Sequence, residues 1–146
     1  MREISVNQEL IFARLEEILR DIEELRCFQK ISLEEFKRGK NFAIAEHYLR
    51  RALEAIFDIG SHILSRIPGV RPSSYKEIAL LLGENEIVKE EFARDKLLKM
   101  AGYRNRLVHF YLEVKKDELY SIIKNNLSDI EEFCKFIKSF LTSLKG

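Results

Sequence analysis

Residues that break helices or form cross-links are scarce in this chain, and each scarcity excludes a class of protein. The sequence has only six glycines and two prolines, which argues against a turn-rich β fold and favours helices. Its two cysteines, Cys27 and Cys134, are far apart and belong to no Cys-x-x-Cys or Cys/His cluster. We therefore expect two buried, reduced thiols and no disulfide framework.

Long apolar runs are also missing, and the charge is balanced. No uninterrupted apolar stretch approaches membrane-spanning length, and Met1-Arg2-Glu3-Ile4 does not resemble the start of a signal peptide. These absences predict a cytoplasmic protein without a membrane partner. The net charge of +1 excludes a generally basic nucleic-acid coat, so any contact with RNA requires a local basic patch.

Apolar residues recur at helical spacing in four long segments of the chain. The first two cover residues 6–28 and about 40–67, Asn85 can cap the third, and Asp117 can cap the fourth. No segment shows strand alternation, and 146 residues suit one domain, 1–146. The pattern predicts an all-α, up-and-down bundle of four long helices plus short helices.

Two shorter helices are predicted between the long ones. Ser32 and Ser74 each precede a glutamate by three residues, which is the spacing of a capping box. We expect these helices to end at Gly39 and Gly83. Within the second long segment, Gly60 costs roughly 1 kcal/mol relative to alanine, which indicates that another helix packs closely there.

The stretch 103–111 contains more polar chemistry than a packed helix requires. Leu107, Val108 and Phe110 would suffice for packing. Beside them stand several polar side chains: Arg104, Asn105, Arg106, His109 and Tyr111. Cleavage of RNA without a metal needs a base for the 2′-hydroxyl, an acid for the leaving 5′-oxygen and a cation beside the phosphate. Histidine suits the proton transfers, and arginine suits the phosphate because its guanidinium forks onto two oxygens.

One such histidine per chain is too few for both proton transfers. A symmetric homodimer would supply the second copy. On a continuous helix Asn105 and His109 stack, whereas Arg104 and His109 lie about 140° apart at about 100° per residue. Three solutions stay open: the Arg104 side chain bridges the gap, the helix loosens there, or the groups converge across a dimer.

Asp58 and His62 are a second polar pair, four residues apart on one face of the second long helix. Two interpretations stay open for them. They form a local contact on a polar face, or they line the same cleft as His109.

Other chemistries lack their sequence patterns. The sequence has no Gly-rich phosphate loop, no His-Glu-x-x-His motif, no EF-hand loop and no nucleophile elbow. Its three histidines belong to no cluster at ligand spacing, so we expect no metal site and no cofactor. The chain also lacks the phosphate-positioning loop and metal carboxylates of a nucleotidyltransferase.

The order Arg104, His109, Tyr111 resembles the Arg-x4-His-x-Tyr signature of the HepT toxins. These are HEPN-superfamily ribonucleases encoded beside a minimal nucleotidyltransferase (MNT) antitoxin. The likeness extends over residues 100–111, and two upstream segments, 53–63 and 72–78, also resemble the family. It therefore spans most of the chain and implies a HEPN-type helical bundle.

The resemblance also implies roles for individual residues. Arg104 and His109 would cleave single-stranded RNA without a metal in a homodimer cleft, and Asn105 would support them. Tyr111 matches the tyrosine to which the MNT partner adds AMP, which silences the toxin. Arg106 replaces an apolar residue of the family pattern, and either enlarges the basic patch, which we favour, or faces solvent.

Two alternatives to a ribonuclease stay open. The chain is a non-catalytic substrate- or partner-binding subunit of a nucleotidyltransferase pair, as in HEPN-type bundles that bind nucleotides or proteins. Alternatively, Arg104 pairs with a carboxylate and His109 bonds a backbone carbonyl, purely as structure.

Overall fold

The computed structural model describes residues 4–109 and 113–144, and within those ranges it contains helices and no β-strand. Its helices, in chain order, are α1 (Gln8–Arg26), α2 (Leu33–Phe36), α3 (Asn41–Ser65), α4 (Tyr75–Glu84), α5 (Glu90–Phe92), α6 (Leu98–Val108) and α7 (Lys116–Ser143). A π-helical turn, Ala93–Leu97, joins α5 to α6 into one continuous helical stretch. With α1, α3 and α7, this stretch completes the four long helices, and the all-α bundle prediction is confirmed.

Side-chain caps begin three of the helices where the sequence indicates. Asn7 Oδ1 accepts from the Leu10 amide at 3.1 Å at the start of α1. Ser32 Oγ and Ser74 Oγ accept from the amides of the third residue on, each at 3.1 Å, so both predicted serine caps are confirmed. Each bond satisfies one of the amides that a helix leaves unpaired at its first turn.

Three of the predicted helix ends, at Asn85, Gly83 and Asp117, are wrong, and tertiary packing explains one of them. Asn85 ends α4 instead of starting α5, because its Nδ2 donates to the Leu81 carbonyl at 2.9 Å. Gly83 lies inside α4, where a Cβ would come within 2.6 Å of the Ala93 Cβ. The glycine is therefore a contact surface for the π-helical turn. Asp117 lies in the first turn of α7, which begins at Lys116.

Close packing of α3 against α4 positions the start of α4. A Cβ on Gly60 would lie 2.8 Å from Ile78 and 2.9 Å from Leu82. The prediction that Gly60 serves a close helix contact is confirmed. Because α4 cannot move away from α3 without losing this contact, its first residue, Tyr75, is held in place beside α3.

The core lies between α1, α3, α6 and α7 and is almost entirely apolar. Phe36, Phe57 and Phe133 are among its largest fully buried side chains, and Asp21 is its one buried charged residue within the described ranges. Cys134 is buried as predicted, but Cys27 is exposed because it follows the last turn of α1. No helix in the described ranges is long and apolar enough to cross a membrane.

Candidate active site at the end of α6

Arg104 lies half-buried in the last turns of α6, with its guanidinium against an aromatic ring. Its Cζ is 3.9 Å from the centroid of the Tyr75 ring, a cation–π arrangement. Among the described residues, its buried Nε has no hydrogen-bond partner and no carboxylate pairs with the guanidinium. A cation held by a ring keeps its charge available for an anionic ligand. The purely structural alternative requires a carboxylate beside Arg104, and the described residues supply none.

Tyr75 is a residue of this site to which the sequence assigned no role. Ser74 caps the helix that Tyr75 begins, and the ring meets Phe57 of α3 edge-to-face at 5.5 Å between centroids. One face of the ring is thus left for Arg104. The segment 72–78 belongs to the family resemblance, but no periodicity links Tyr75 to Arg104, which stands in a different helix.

His109 stands just beyond the end of α6, where the helical geometry stops. Its φ of −98° and ψ of 99° are extended, while its backbone amide still donates to the Asn105 carbonyl at 3.1 Å. The residue is exposed. The helix ends directly before His109, and the three solutions to the angular gap between Arg104 and His109 all stay predictions. The side chain of Asn105 makes no hydrogen bond among the described residues, so its visible support for His109 comes from its backbone.

Arg106 is bound to the start of α7 and does not extend a free basic patch. Its two terminal nitrogens reach the two carboxylate oxygens of Glu118 at 2.6 and 2.7 Å, and one of them also donates to the Glu113 carbonyl at 3.0 Å. Hydrogen bonding from Arg106 lowers the pKa of Glu118, and the same bond raises the pKa of Arg106. The favoured interpretation of Arg106 therefore does not fit this geometry. The pair instead clamps both ends of the connection between α6 and α7.

Asp58 and His62 contact α1 rather than each other. Arg14 Nε is 3.5 Å from an Asp58 carboxylate oxygen, and His62 Nε2 accepts from the Asn7 backbone amide at 2.9 Å. Burial, then the charge of Arg66, lowers the pKa of His62, which suits the neutral ring that this acceptor bond needs. Both residues thus have structural partners at the α1–α3 contact, and their place in the cleft of His109 stays a prediction.

Tyr111, the predicted site of modification, lies outside the described residues, as does Phe110. The described residues that flank this segment are His109 and Glu113, and the Arg106–Glu118 pair bridges it. Among the residues with described positions, no group of three or more His, Cys, Asp or Glu side chains could hold a metal ion.

Comparisons of this chain with known proteins all point to the same family. The family model described as "Ribonuclease HepT-like" matches residues 15–137. The chain is 30% identical over 137 residues to a tRNA nuclease HepT of Aphanizomenon flos-aquae, covering 93% of this chain and 92% of the relative. It is 34% identical over 91 residues to an mRNA nuclease HepT of Shewanella oneidensis, covering 62% of this chain and 68% of the relative.

A solved structure of a tri-AMPylated Shewanella oneidensis HEPN toxin in complex with its MNT antitoxin is also similar to this protein. The TM-score is 0.79 at 28% sequence identity, with 89% of this chain and 97% of that chain covered. The helical architecture and the matched sequence agree over almost the whole length. This chain belongs to the HepT-like ribonuclease family.

Proposed function

We propose that this protein is the toxin of a HEPN/MNT toxin–antitoxin pair and cleaves single-stranded RNA without a metal. The observation that carries the proposal is Arg104: a guanidinium braced by Tyr75 with no carboxylate partner among the described residues. A phosphate group of the RNA would be the anionic partner that Arg104 lacks among the described residues. The nuclease names of the relatives and the toxin–antitoxin complex support the same assignment.

In the proposed reaction, a His109 imidazole takes the proton of the ribose 2′-hydroxyl. The 2′-oxygen attacks the adjacent phosphorus and the bond to the 5′-oxygen breaks. A second imidazole gives that oxygen its proton, so the products are a 2′,3′-cyclic phosphate and a 5′-hydroxyl end. Arg104 stabilises the negative charge that builds up on the phosphoryl oxygens. Each step needs only groups of the stretch 104–109.

The second imidazole comes, in this proposal, from the other chain of a homodimer whose cleft contains both copies of Arg104 and His109. One position on α6 is open for such an approach: a Cβ on Gly102 would have no neighbour within 4 Å among the described residues, apart from its chain neighbours and the backbone of its own helix. Gly102, Asn105 and His109 follow one another at spacings of three and four residues, which place them on the same side of the helix. The whole chain, 1–146, would act as one domain in the cytoplasm.

Control by the partner would act at Tyr111. The similar Shewanella toxin is AMPylated in its complex with MNT. Tyr111 is two residues from His109, so an AMP group there adds bulk and negative charge beside the phosphate site and repels the RNA. We propose that an MNT-type nucleotidyltransferase silences this protein in that way. The alternative, a non-catalytic binding subunit, predicts a buried His109, whereas His109 is exposed.

A cleavage assay in EDTA tests the proposal. The protein is expressed without a partner, its mass is checked for AMP at Tyr111, and wild type is compared with Arg104→Ala and His109→Ala. His47→Ala, at an exposed histidine of α3, is the matched control. We expect cyclic-phosphate ends from wild type and the control only. Cleavage by His109→Ala at the wild-type rate would refute the mechanism, and an unmodified wild type without activity would favour the binding subunit.

The two-histidine requirement can be tested by mixing. When wild type and His109→Ala exchange subunits freely at equal amounts, only about a quarter of the dimers carry two intact histidines. Activity per total protein should fall to that level. A fall to half would show that each chain works alone.

A further inference from the structure

A cavity of about 190 Å³ lies between α3, α6 and α7, and part of its wall is the helix that also contains Arg104. Its floor is apolar and includes Leu49 of α3 and Ile130 of α7. Its polar lining includes Tyr103, one residue before Arg104. The Arg106 guanidinium lies 5.8 Å from the centroid of the Tyr103 ring. The cavity is therefore connected to the proposed site through α6, where Tyr103 directly precedes Arg104.

The size of the cavity restricts its ligand. Pockets for drug-sized ligands have volumes of about 300–1,000 Å³, so a cavity of about 190 Å³ takes a single ring system and no more. The apolar floor and the Tyr103 ring suit a flat aromatic ligand, since a base can stack on an aromatic side chain whatever its identity.

Polar groups at one side of the cavity suit the edge of a base. Asn126 Nδ2 donates to Asp129 Oδ2 at 3.1 Å, and the Asp129 side chain is only 16% exposed. A largely buried carboxylate accepts hydrogen bonds and donates none, so it matches a ring with an amino group on its edge. Uracil has no amino group, and its single edge donor, N3–H, is flanked by two carbonyl oxygens that the carboxylate repels.

Two lysines at the cavity suit phosphates on either side of that base. Lys96 Nζ is 3.9 Å from both Asp95 and Asp129, and Lys99 Nζ is 3.1 Å from Asp95, with the Lys99 side chain 68% exposed. The pairs that the two lysines form with Asp95 are exposed and contribute little to stability, so they can be exchanged for phosphate oxygens at small cost. Lys96 belongs to the π-helical turn, a distortion that is frequent at functional sites.

We propose that this cavity binds one unstacked base of single-stranded RNA, in a nucleotide neighbouring the cleaved phosphate. Tyr103 contacts the face of the base, Asp129 and Asn126 bind its amino-bearing edge, and Lys96 and Lys99 bind the flanking phosphates. The inference rests on the proposed ribonuclease function and names the feature of the RNA that the site selects: adenine, guanine or cytosine over uracil at that position.

Binding and cleavage together test the inference. Short RNAs with a purine, a uracil or an abasic ribose next to a single cleavable linkage are compared. Binding is measured by fluorescence anisotropy with His109→Ala protein, which we expect not to cut the RNA, and cleavage is measured with protein that retains His109. The pocket variants are Lys99→Ala and Asn126→Leu, and Lys135→Ala, at an exposed lysine elsewhere on α7, is the control.

We expect the purine RNA to bind about tenfold more tightly than the abasic RNA. Asn126→Leu should remove most of that difference and the preference over uracil, and should leave the binding of abasic RNA unchanged. Lys99→Ala should weaken all three RNAs, and Lys135→Ala should change nothing. Cleavage rates below saturation should follow the same order.

The outcomes separate this inference from the function on which it rests. Cleavage by wild type with equal affinity for purine and abasic RNA would overturn the base site and leave the ribonuclease intact. Purine-dependent binding that Asn126→Leu abolishes, without cleavage by unmodified wild type, would support the base site and refute the ribonuclease. Unchanged base preference in Asn126→Leu would also overturn the base site.

Discussion

Arg104 and Arg106 are two residues apart on the same helix, yet the fold gives their guanidinium groups different partners. Arg104 stacks on the Tyr75 ring and has no carboxylate partner among the described residues. Arg106 donates to both carboxylate oxygens of Glu118. One charge is available to a ligand and the other is neutralised within the fold. A motif of basic residues therefore predicts a phosphate site only after the partner of each cation is known.

The largest effect should come from replacing Arg104 by lysine. The charge remains, but the planar group that stacks on Tyr75 and forks onto two phosphate oxygens is lost. We expect RNA cleavage at least about 100-fold slower than wild type, comparable to losing one donor to a developing oxyanion. Thermal unfolding should change little because no ion pair is broken. Near-normal cleavage by Arg104→Lys would show that a simple positive charge suffices.

A smaller loss should follow from removing the ring that braces Arg104. Tyr75→Leu should slow cleavage by roughly tenfold, because the cation–π contact that orients the guanidinium disappears. Tyr75→Phe keeps the ring and should retain most activity. The two variants are compared in the same cleavage assay, at a temperature at which both are fully folded. Equal losses in both would mean that the hydroxyl, and not the ring face, is what matters.

Breaking the Arg106–Glu118 clamp should affect stability more than catalysis. Arg106→Ala should lower the free energy of unfolding by about 1 kcal/mol or less, the usual range for a partly exposed pair. Because the folded pKa of Glu118 is lowered, its contribution is present at neutral pH and is lost as the pH falls through that lowered value. The stability gap between wild type and Arg106→Ala should therefore narrow in acid, as urea unfolding can show. A gap that widens in acid would contradict this assignment.

The smallest effect on cleavage should come from replacing Asp21. This residue lies in α1, faces Arg51 of α3 and has no part in the proposed RNA site. Burial raises the pKa of Asp21 from 3.8 to about 6, although Arg51 lies 3.8 Å away. The folded state binds the proton more tightly, so stability should fall as the pH rises from about 4 to about 6.

Asp21→Asn should remove that pH dependence and, at pH 7, leave the protein as stable as wild type or more stable by on the order of 1–3 kcal/mol. RNA cleavage should not change. Urea unfolding between pH 4 and pH 7.5 measures this, with Glu24→Gln on the exposed side of α1 as the control. A loss of stability at pH 7 in Asp21→Asn would show that the Arg51 contact outweighs the burial.

The sequence predicts the helices well because their signals are local. Helical spacing of apolar residues, two serine caps and a glycine between crossing helices are each readable from a few neighbouring positions. The ends that were wrong depend on distant residues: Asn85 bonds backwards to Leu81, and Gly83 stays helical because it packs against Ala93. Cys27 is exposed because the chain leaves α1 there, which apolar composition alone does not indicate.

The motif identifies the candidate site residues, but not the partners that the fold gives to its two arginines. Tyr75 and Glu118 reach the end of α6 from other helices, and their pairing with Arg104 and Arg106 depends on how three helices meet. No spacing in the sequence connects residue 75 to residue 104. His62 is a similar case. The spacing of the sequence places it beside Asp58, whereas in the structure its ring accepts a hydrogen bond from the backbone amide of Asn7.

The most direct test of this account is cleavage of one single-stranded RNA in EDTA by unmodified wild type, Arg104→Ala and Arg106→Ala side by side. We predict that Arg104→Ala loses at least about 100-fold in rate and about 1 kcal/mol of stability, from the lost contact with Tyr75. Arg106→Ala should keep most of its activity and lose some stability. Equal losses in the two variants, or a greater loss in Arg106→Ala, would contradict the claim that the unpaired arginine is the one that binds the phosphate.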